Sequence, residues 1–428
     1  MFEMFRALLP LLLLAAVPSA ALAQEDSEAI EQASYNRASQ VQYVLLGTVP
    51  ATELFAPSFL AAVPESQLKA IVDQLTAQNG KLLSVDELHY TGDGVISFDL
   101  VFEQARAAAV LQLSDDAPYQ ATGFRITGVR RIDDTPEKII AGFAALPGVH
   151  GFGIYQLGEG GPQPVLTDRP TQEFAIGSTF KLYVLSALGR EIKAGRRHWA
   201  DVVRLDAHSV PSGQMQDWPI GTPVTLQTLA TMMISISDNT ATDVLVRLLG
   251  RDALAAEVRA SGHGDPSKML PVLTTAELFA LKSGDPARMQ DYAAADDAAQ
   301  ATLLDRWAPS FKADISSISS PVAVDTIEWF ASAQDIANIF ARLRDLGDPV
   351  VMDILAIHPT MPSTERAYWD YAGYKGGSEP GVINLSWLVK DKAGRWYVVA
   401  ASWNDPANTV DDTAFLALAT RMLAMLHQ

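Results

Sequence analysis

Ala175-Ile-Gly-Ser-Thr-Phe-Lys-Leu-Tyr-Val-Leu-Ser-Ala-Leu188 places a serine, Ser178, three residues before a lysine, Lys181. The run after Gly177 is apolar and continuous, as in a buried helix. Positions i and i+3 share a helix face, so the spacing predicts that the Lys181 ammonium reaches the Ser178 hydroxyl. A serine in the first turn also sits where free backbone N–H groups point at a developing anion. Together these features describe an activated serine nucleophile.

A serine–lysine pair at this spacing is common. Ser66-Gln-Leu-Lys69 is a second one, and Ser66, following Pro64-Glu65, is expected to cap a helix. Ser178 differs in its company. Ser237-Asp238-Asn239 is the only such triplet in the chain, between the apolar runs 226–236 and 241–249. That context predicts a short connection between two helices, and helix capping alone would explain it. Lys375-Gly376-Gly377-Ser378 precedes a β-like run over 381–389, a turn at Asp391-Lys-Ala-Gly394 and a second run over 396–403. The pattern predicts a β-hairpin with Lys375 at the head of its first strand. Its glycines let a substrate backbone approach closely. Other Lys-x-Gly triplets read as helix ends (Lys193-Ala-Gly195, Lys282-Ser-Gly284) or as the hairpin turn (Lys392-Ala-Gly394).

In this order and context the three motifs resemble the set S-x-x-K, S-D-N and K-T-G of the serine β-lactamase and penicillin-binding protein superfamily. The 59 positions from Ser178 to Ser237 are close to class A β-lactamase spacing. The resemblance covers roughly 137–428. With the segment before it, the layout is similar to two-domain serine hydrolases of the kind encoded in clavulanic acid gene clusters. The resemblance implies Ser178 as acylated nucleophile, Lys181 as its base or proton shuttle, and Ser237 as proton donor to the leaving nitrogen. It further implies that Asn239 binds the substrate's acylamide chain and that Lys375 attracts its carboxylate. The N–H groups of Ser178 and Ser378 would form the oxyanion hole beside Gly377. Gly376 departs from the family, standing where threonine or serine is usual, so a hydroxyl contact falls to Ser378.

Class A enzymes also carry a loop whose glutamate activates the deacylating water. The best match here, Asp305-Arg-Trp-Ala-Pro-Ser-Phe-Lys312, has Ala308 at that place. The glutamates between Asn239 and Lys375 are Glu257, Glu277, Glu328 and Glu365. Glu277 reads as a capping-box partner. Glu328 is the nearest substitute, although a surface or buried, paired carboxylate describes it better. The resemblance thus implies acylation with slow release of β-lactams. A D-alanyl-D-alanine carboxypeptidase is the alternative activity, and a non-catalytic ligand-binding sensor a remoter one.

The remaining sequence sets the frame. Of 428 residues, 48% are hydrophobic and 19% charged, enough for a large core and more than one domain. A net charge of −18 argues against a nucleic-acid partner. The expected partner is a small-molecule or peptidoglycan-like substrate. Residues 1–23, with Arg6, an apolar run and Ala21-Leu22-Ala23, read as a secretory signal cleaved after Ala23. That implies a periplasmic or secreted protein without a membrane span. There is no cysteine, hence no disulfide framework. Seven histidines show no H-E-x-x-H pattern, and no nucleotide loop occurs, so no metal or cofactor is expected. No G-x-S-x-G elbow occurs. Residues 24–40 read as a flexible leader. Residues 41–132 read as a small α+β domain of helices on a curved antiparallel sheet. Residues 137–428 are expected to be an α+β unit: a central antiparallel sheet flanked by helices, plus an all-helical subdomain.

Overall fold

The computed structural model describes residues 19–132 and 134–427. The chain divides into two compact units, Met1–Asp133 and Asp134–Gln428.

The first unit packs helices α1 (Ser19–Leu45), α2 (Ala51–Leu54), α3 (Pro57–Ala62) and α4 (Glu65–Asn79) with a four-stranded antiparallel meander. Its strands are β1 (Leu82–Gly92), β2 (Val95–Phe102), β3 (Ala105–Leu113) and β4 (Ala121–Arg131). Strand alternation turns Ile96, Phe98, Leu100 and Phe102 to one buried face. The leader expected as flexible over 24–40 is instead part of α1. Ser34, Ala38 and Val41 are buried, and Ser34 Oγ donates to Ile30 O at 2.8 Å. Spacings of three and four residues give this polar stretch one narrow core-facing stripe. Most of the signal expected over 1–23 lies outside the described residues. Ser66 does not cap α4: Pro64 occupies the cap position, without a side-chain bond. Lys69 pairs with exposed Asp73.

The second unit opens with α5 (Pro136–Ala144), where Thr135 Oγ1 accepts from Lys138 N. Next come β5 (Val149–Gly158), β6 (Gly161–Asp168), the short β7 (Phe174–Ala175) and α6 (Lys181–Lys193). Strands β8 (Val202–Arg204) and β9 (Pro223–Thr225) pair with each other. The helical region holds α7 (Leu226–Ser235), α8 (Asn239–Leu249), α9 (Arg251–Ala260), α10 (Thr275–Ser283), α11 (Pro286–Ala294) and α12 (Asp297–Trp307). The chain returns through β10 (Phe330–Ala331), α13 (Ala333–Leu346), α14 (Pro349–Ala356) and α15 (Ser363–Arg366). It ends with β11 (Trp369–Glu379), β12 (Val382–Asp391), β13 (Trp396–Asn404) and α16 (Asp412–Ala424).

The main sheet is antiparallel, in the order β11–β12–β13–β5–β6. This is an α+β architecture with an antiparallel central sheet and β11 at its edge. One face buries Phe152, Trp387 and Val399 with Phe143 of α5 and Phe415 of α16. The other buries Tyr155, Leu388 and Val398 with α6 and α13. Among the described residues, no helix is long and apolar enough to cross a membrane.

Candidate active site

Ser178 stands in a single 3₁₀ turn, Gly177–Phe180, that leads into α6. Polar groups from the sheet pin this turn. Asn404 acts as a strand for β7: its Nδ2 donates to Ala175 O at 3.0 Å and its Oδ1 accepts from Ala175 N at 2.9 Å. Thr179 Oγ1 donates to Asn384 Oδ1 at 2.8 Å, and Asn384 Nδ2 donates to Ser402 Oγ. Phe180 stacks on Trp329 with ring centroids 3.8 Å apart. Ile176 N donates to Trp329 O.

The three motifs converge on one cleft of about 420 Å³, lined by Ser178, Ser237, Asn239, Lys375, Gly377 and Ser378 among others. Lys181 is fully buried beneath it. Its Nζ lies 2.7 Å from Ser237 O, 3.0 Å from Ser237 Oγ and 2.8 Å from Asn239 Oδ1. Lys375 Nζ donates to Ser237 Oγ at 3.1 Å and to Gly376 O at 2.5 Å. Ser237 therefore bridges the two lysines, and it does so at φ +58°, a conformation uncommon outside glycine. The adjacent Asp238 holds it there. Asp238 caps α8 through Ala241 N, and its second oxygen accepts from Gln214 N and Met215 N.

Two geometric expectations need correction. No hydrogen bond joins Ser178 Oγ to Lys181 Nζ among the described residues. The serine belongs to a 3₁₀ turn, and the three directions of the lysine are taken by Ser237 and Asn239. Lys375 is also not at the head of a strand but deep within β11, paired with Ser386 of β12. Asn239 spends its amide inward, accepting from Lys181 and donating from Nδ2 to Val210 O at 3.2 Å.

Gly377 makes the closest approach in the site. A methyl group there would lie 2.2 Å from Ile176 O and 2.3 Å from Ser178 N. A methyl on Gly177, which holds φ +48°, would lie 3.3 Å from Ser378 N. The N–H groups of Ser178 and Ser378 thus flank one narrow contact. At Gly376, where a hydroxyl-bearing side chain was expected to be missed, Tyr374 moves in. Its hydroxyl lies 2.1 Å from where a Gly376 methyl would be.

Burial governs the electrostatics. It holds the Lys181 amine well below the ordinary lysine range, and the neighbouring Lys375 charge adds to the effect. Burial likewise brings Lys375 down to about 7. With Lys181 neutral, its two N–H bonds meet the pure acceptors Ser237 O and Asn239 Oδ1. Its lone pair then faces the Ser237 hydroxyl. A continuous path for a proton runs from Lys375 through Ser237 Oγ to Lys181.

None of residues 305–312 is among those that line this cleft; Ala308 belongs to a short turn after α12. Glu277 forms the capping box of α10 with Thr274 and also binds Arg251. Glu365 accepts from Trp369 Nε1, and Glu257 pairs with Arg342. Glu328 is buried against Lys282, and Lys282 also contacts Glu379. The sequence reading assigned nothing to Lys282 beyond a helix end, and it passed over Glu379. The only local signal was that Glu379 follows the Lys375 motif at the same strand parity.

Away from the cleft, Glu173, His263 and Asp335 bring one ligand-type atom each within 4.8 Å. Both imidazole nitrogens are already engaged: Nδ1 accepts from Asp265 N, which leaves Nε2–H to donate to Phe330 O. Burial and the adjacent Asp335 push Glu173 up to about 8.

The model described as "Beta-lactamase enzyme family" matches residues 135–423. The chain belongs to the beta-lactamase enzyme family. Solved structures similar to it include a beta-lactamase from Sphaerobacter thermophilus DSM 20745, at 21% identity and TM-score 0.47, covering 68% of this chain and 96% of that one. PBP-A is similar at 17% identity and TM-score 0.47, covering 69% and 96%. A beta-lactamase from Chitinophaga pinensis DSM 2588 follows at 14% identity and TM-score 0.46, covering 68% and 97%. No curated protein matches the chain. Within this beta-lactamase family member, the matched region includes every cleft residue named above.

Proposed function

We propose that the chain is an exported serine hydrolase that forms an acyl-enzyme on Ser178, acting on β-lactams or related esters and amides. One observation carries this reading: the buried relay Lys375–Ser237–Lys181 opens on the same cleft as Ser178. The substrate carbonyl lies between the Ser178 and Ser378 N–H groups. Ser178 Oγ attacks the carbonyl carbon, and its proton passes to Lys181 as the contact tightens around bound substrate. Lys181 returns a proton to Ser237, whose hydroxyl proton goes to the leaving nitrogen or oxygen. The C–N or C–O bond breaks, leaving the acyl group on Ser178. Lys375 attracts a substrate carboxylate, and Asn239 holds Lys181 in place. The N-terminal apolar run ending in Ala21-Leu22-Ala23 supports export to the periplasm or medium.

Release of the acyl group is the slower half of the cycle at neutral pH, because segment 305–312 brings no carboxylate to the cleft. The test is intact mass over time after adding a penicillin, a cephalosporin, a simple ester and a peptide ending in D-alanine, with Ser178→Ala as control. An adduct on the wild type and none on the variant is expected. Absence of an adduct with every probe, together with no turnover, refutes the reading. Turnover of the D-alanine peptide alone would assign a peptidase instead.

A further inference from the structure

We propose that Glu379 is the base that activates water for release of the acyl group from Ser178. The inference rests on the acyl-enzyme reading above.

The argument begins with strand parity. Successive residues of a strand point to opposite faces, so Lys375, Gly377 and Glu379 share one face of β11. Gly377 is the residue pressed against Ser178 N. Lys375 and Glu379 therefore flank the nucleophile, each displaced from Gly377 by two strand residues, about 7 Å. Lys375 serves the relay on one side. Glu379 lines the cleft on the other, with Thr275, Phe279 and Trp329.

Its setting is that of an oriented base. Lys282 of α10 is completely buried and contacts carboxylate oxygens of both Glu328 and Glu379. One carboxylate would balance one ammonium. Glu328, also completely buried, already does so; the side chain of Glu379 is the member with exposure, 8%, and the one on the cleft wall. Lys282 fixes its orientation as the third group of a nucleophile–base–orienter set does. Burial beside Glu328 pushes the Glu379 carboxyl well above the ordinary carboxylate range, against the pull of Lys282. The ionised, basic form consequently gains population as pH rises.

In the step itself, Glu379 takes a proton from water while the water oxygen bonds to the acyl carbon. The carbonyl electron pair moves to the oxygen held by the Ser178 and Ser378 N–H groups. When that pair returns, the bond to Ser178 Oγ breaks, the serine recovers the proton, and the carboxylic product leaves with Glu379 ionised again.

The test compares wild type, Glu379→Gln and Glu379→Asp with a penicillin and a simple ester between pH 6 and 9, by intact mass. Glu379→Gln should be acylated at nearly the wild-type rate, which also certifies its fold, while its adduct lasts about 10²-fold longer. Wild-type deacylation should rise with pH; that rise should vanish in Glu379→Gln and return in part in Glu379→Asp. An adduct lifetime unchanged by Glu379→Gln overturns the proposal and leaves the acyl-enzyme reading intact. If Glu379→Gln does not fold, a wild-type deacylation rate flat across this range overturns it. Failure of the wild type to be acylated refutes both.

Discussion

Replacing Gly377 by alanine tests whether the contact between β11 and the Ser178 turn builds the site. The added methyl would lie 2.2 Å from Ile176 O, 2.3 Å from Ser178 N and 2.8 Å from Gly177 C. Comfortable contacts begin near 3.5 Å, so the two backbones must part by about 1 Å. Neither side yields easily. The turn is tied to Asn384, Asn404 and Trp329, and β11 is paired with β12 along its length. Overpacking of this kind costs about 1–3 kcal/mol, within the stability of an ordinary domain, so the variant should fold. Displacing a reacting group by about 1 Å lowers rate by about 10², and acylation should fall by that order. The assay is the rate of adduct formation with a penicillin or ester, with thermal melting in parallel. Gly376→Ala is the control. Its methyl meets Tyr374 and Asn384 O, contacts that lie outside the Ser178 turn, so the loss should stay below about tenfold. Acylation of Gly377→Ala within about threefold of wild type would refute the reasoning.

Other consequences follow from the buried charges. Lys375 titrates near 7 in the fold, so adduct formation with carboxylate-bearing substrates should decline as pH rises through about 7, measurable as kcat/KM against pH. The same shift places a stability penalty that is full below about 7 and is relieved only as pH climbs toward the unfolded value near 10.4; Lys375→Met should therefore melt higher than wild type at pH 6 although it acylates poorly. Glu173 is raised to about 8, so its contribution is full below the unfolded value near 4.3 and is lost as pH climbs through about 8. Glu173→Gln should then melt higher than wild type at pH 9, with the difference shrinking as pH falls and vanishing only below about 4. Lys282→Met strands Glu328 and Glu379 together and should cost about 3–5 kcal/mol in denaturant unfolding.

What was legible in the sequence is what local spacing controls. The helix boundaries around Ser237 and the hairpin after Lys375 follow from short-range pattern and turn chemistry. The class of the second unit follows from the order of its motifs. Three features escaped for physical reasons. The stripe Ser34, Ala38 and Val41 is narrow, and a polar average over 24–40 conceals it. The lack of a Ser178–Lys181 hydrogen bond goes with a 3₁₀ turn where the pattern predicts continuous α-helix. The Lys282–Glu328–Glu379 set joins residues 46 and 97 positions apart, and no local period reports such a contact. Asn404 escaped similarly, since a buried asparagine that replaces a strand partner looks like any turn residue.

Two lysines on one serine oxygen explain why the site needs its depth. If both were charged, two ammonium groups would compete for the lone pairs of Ser237 Oγ with no carboxylate among their hydrogen-bond partners. Burial removes that conflict by making the neutral form cheaper, and it does so most for Lys181, which Lys375 also repels. The result is directional. While charged, Lys375 can only donate to Ser237, and Ser237 then donates to the lone pair of Lys181, so the three groups form one relay with no carboxylate hydrogen-bonded to either lysine. A bound substrate carboxylate near Lys375 would stabilise its charge, strengthening the donor at the head of the chain. Binding and proton transfer are thereby coupled through one hydroxyl, which is why Ser237 is held at φ +58° by the fully buried Asp238 rather than left to a flexible loop.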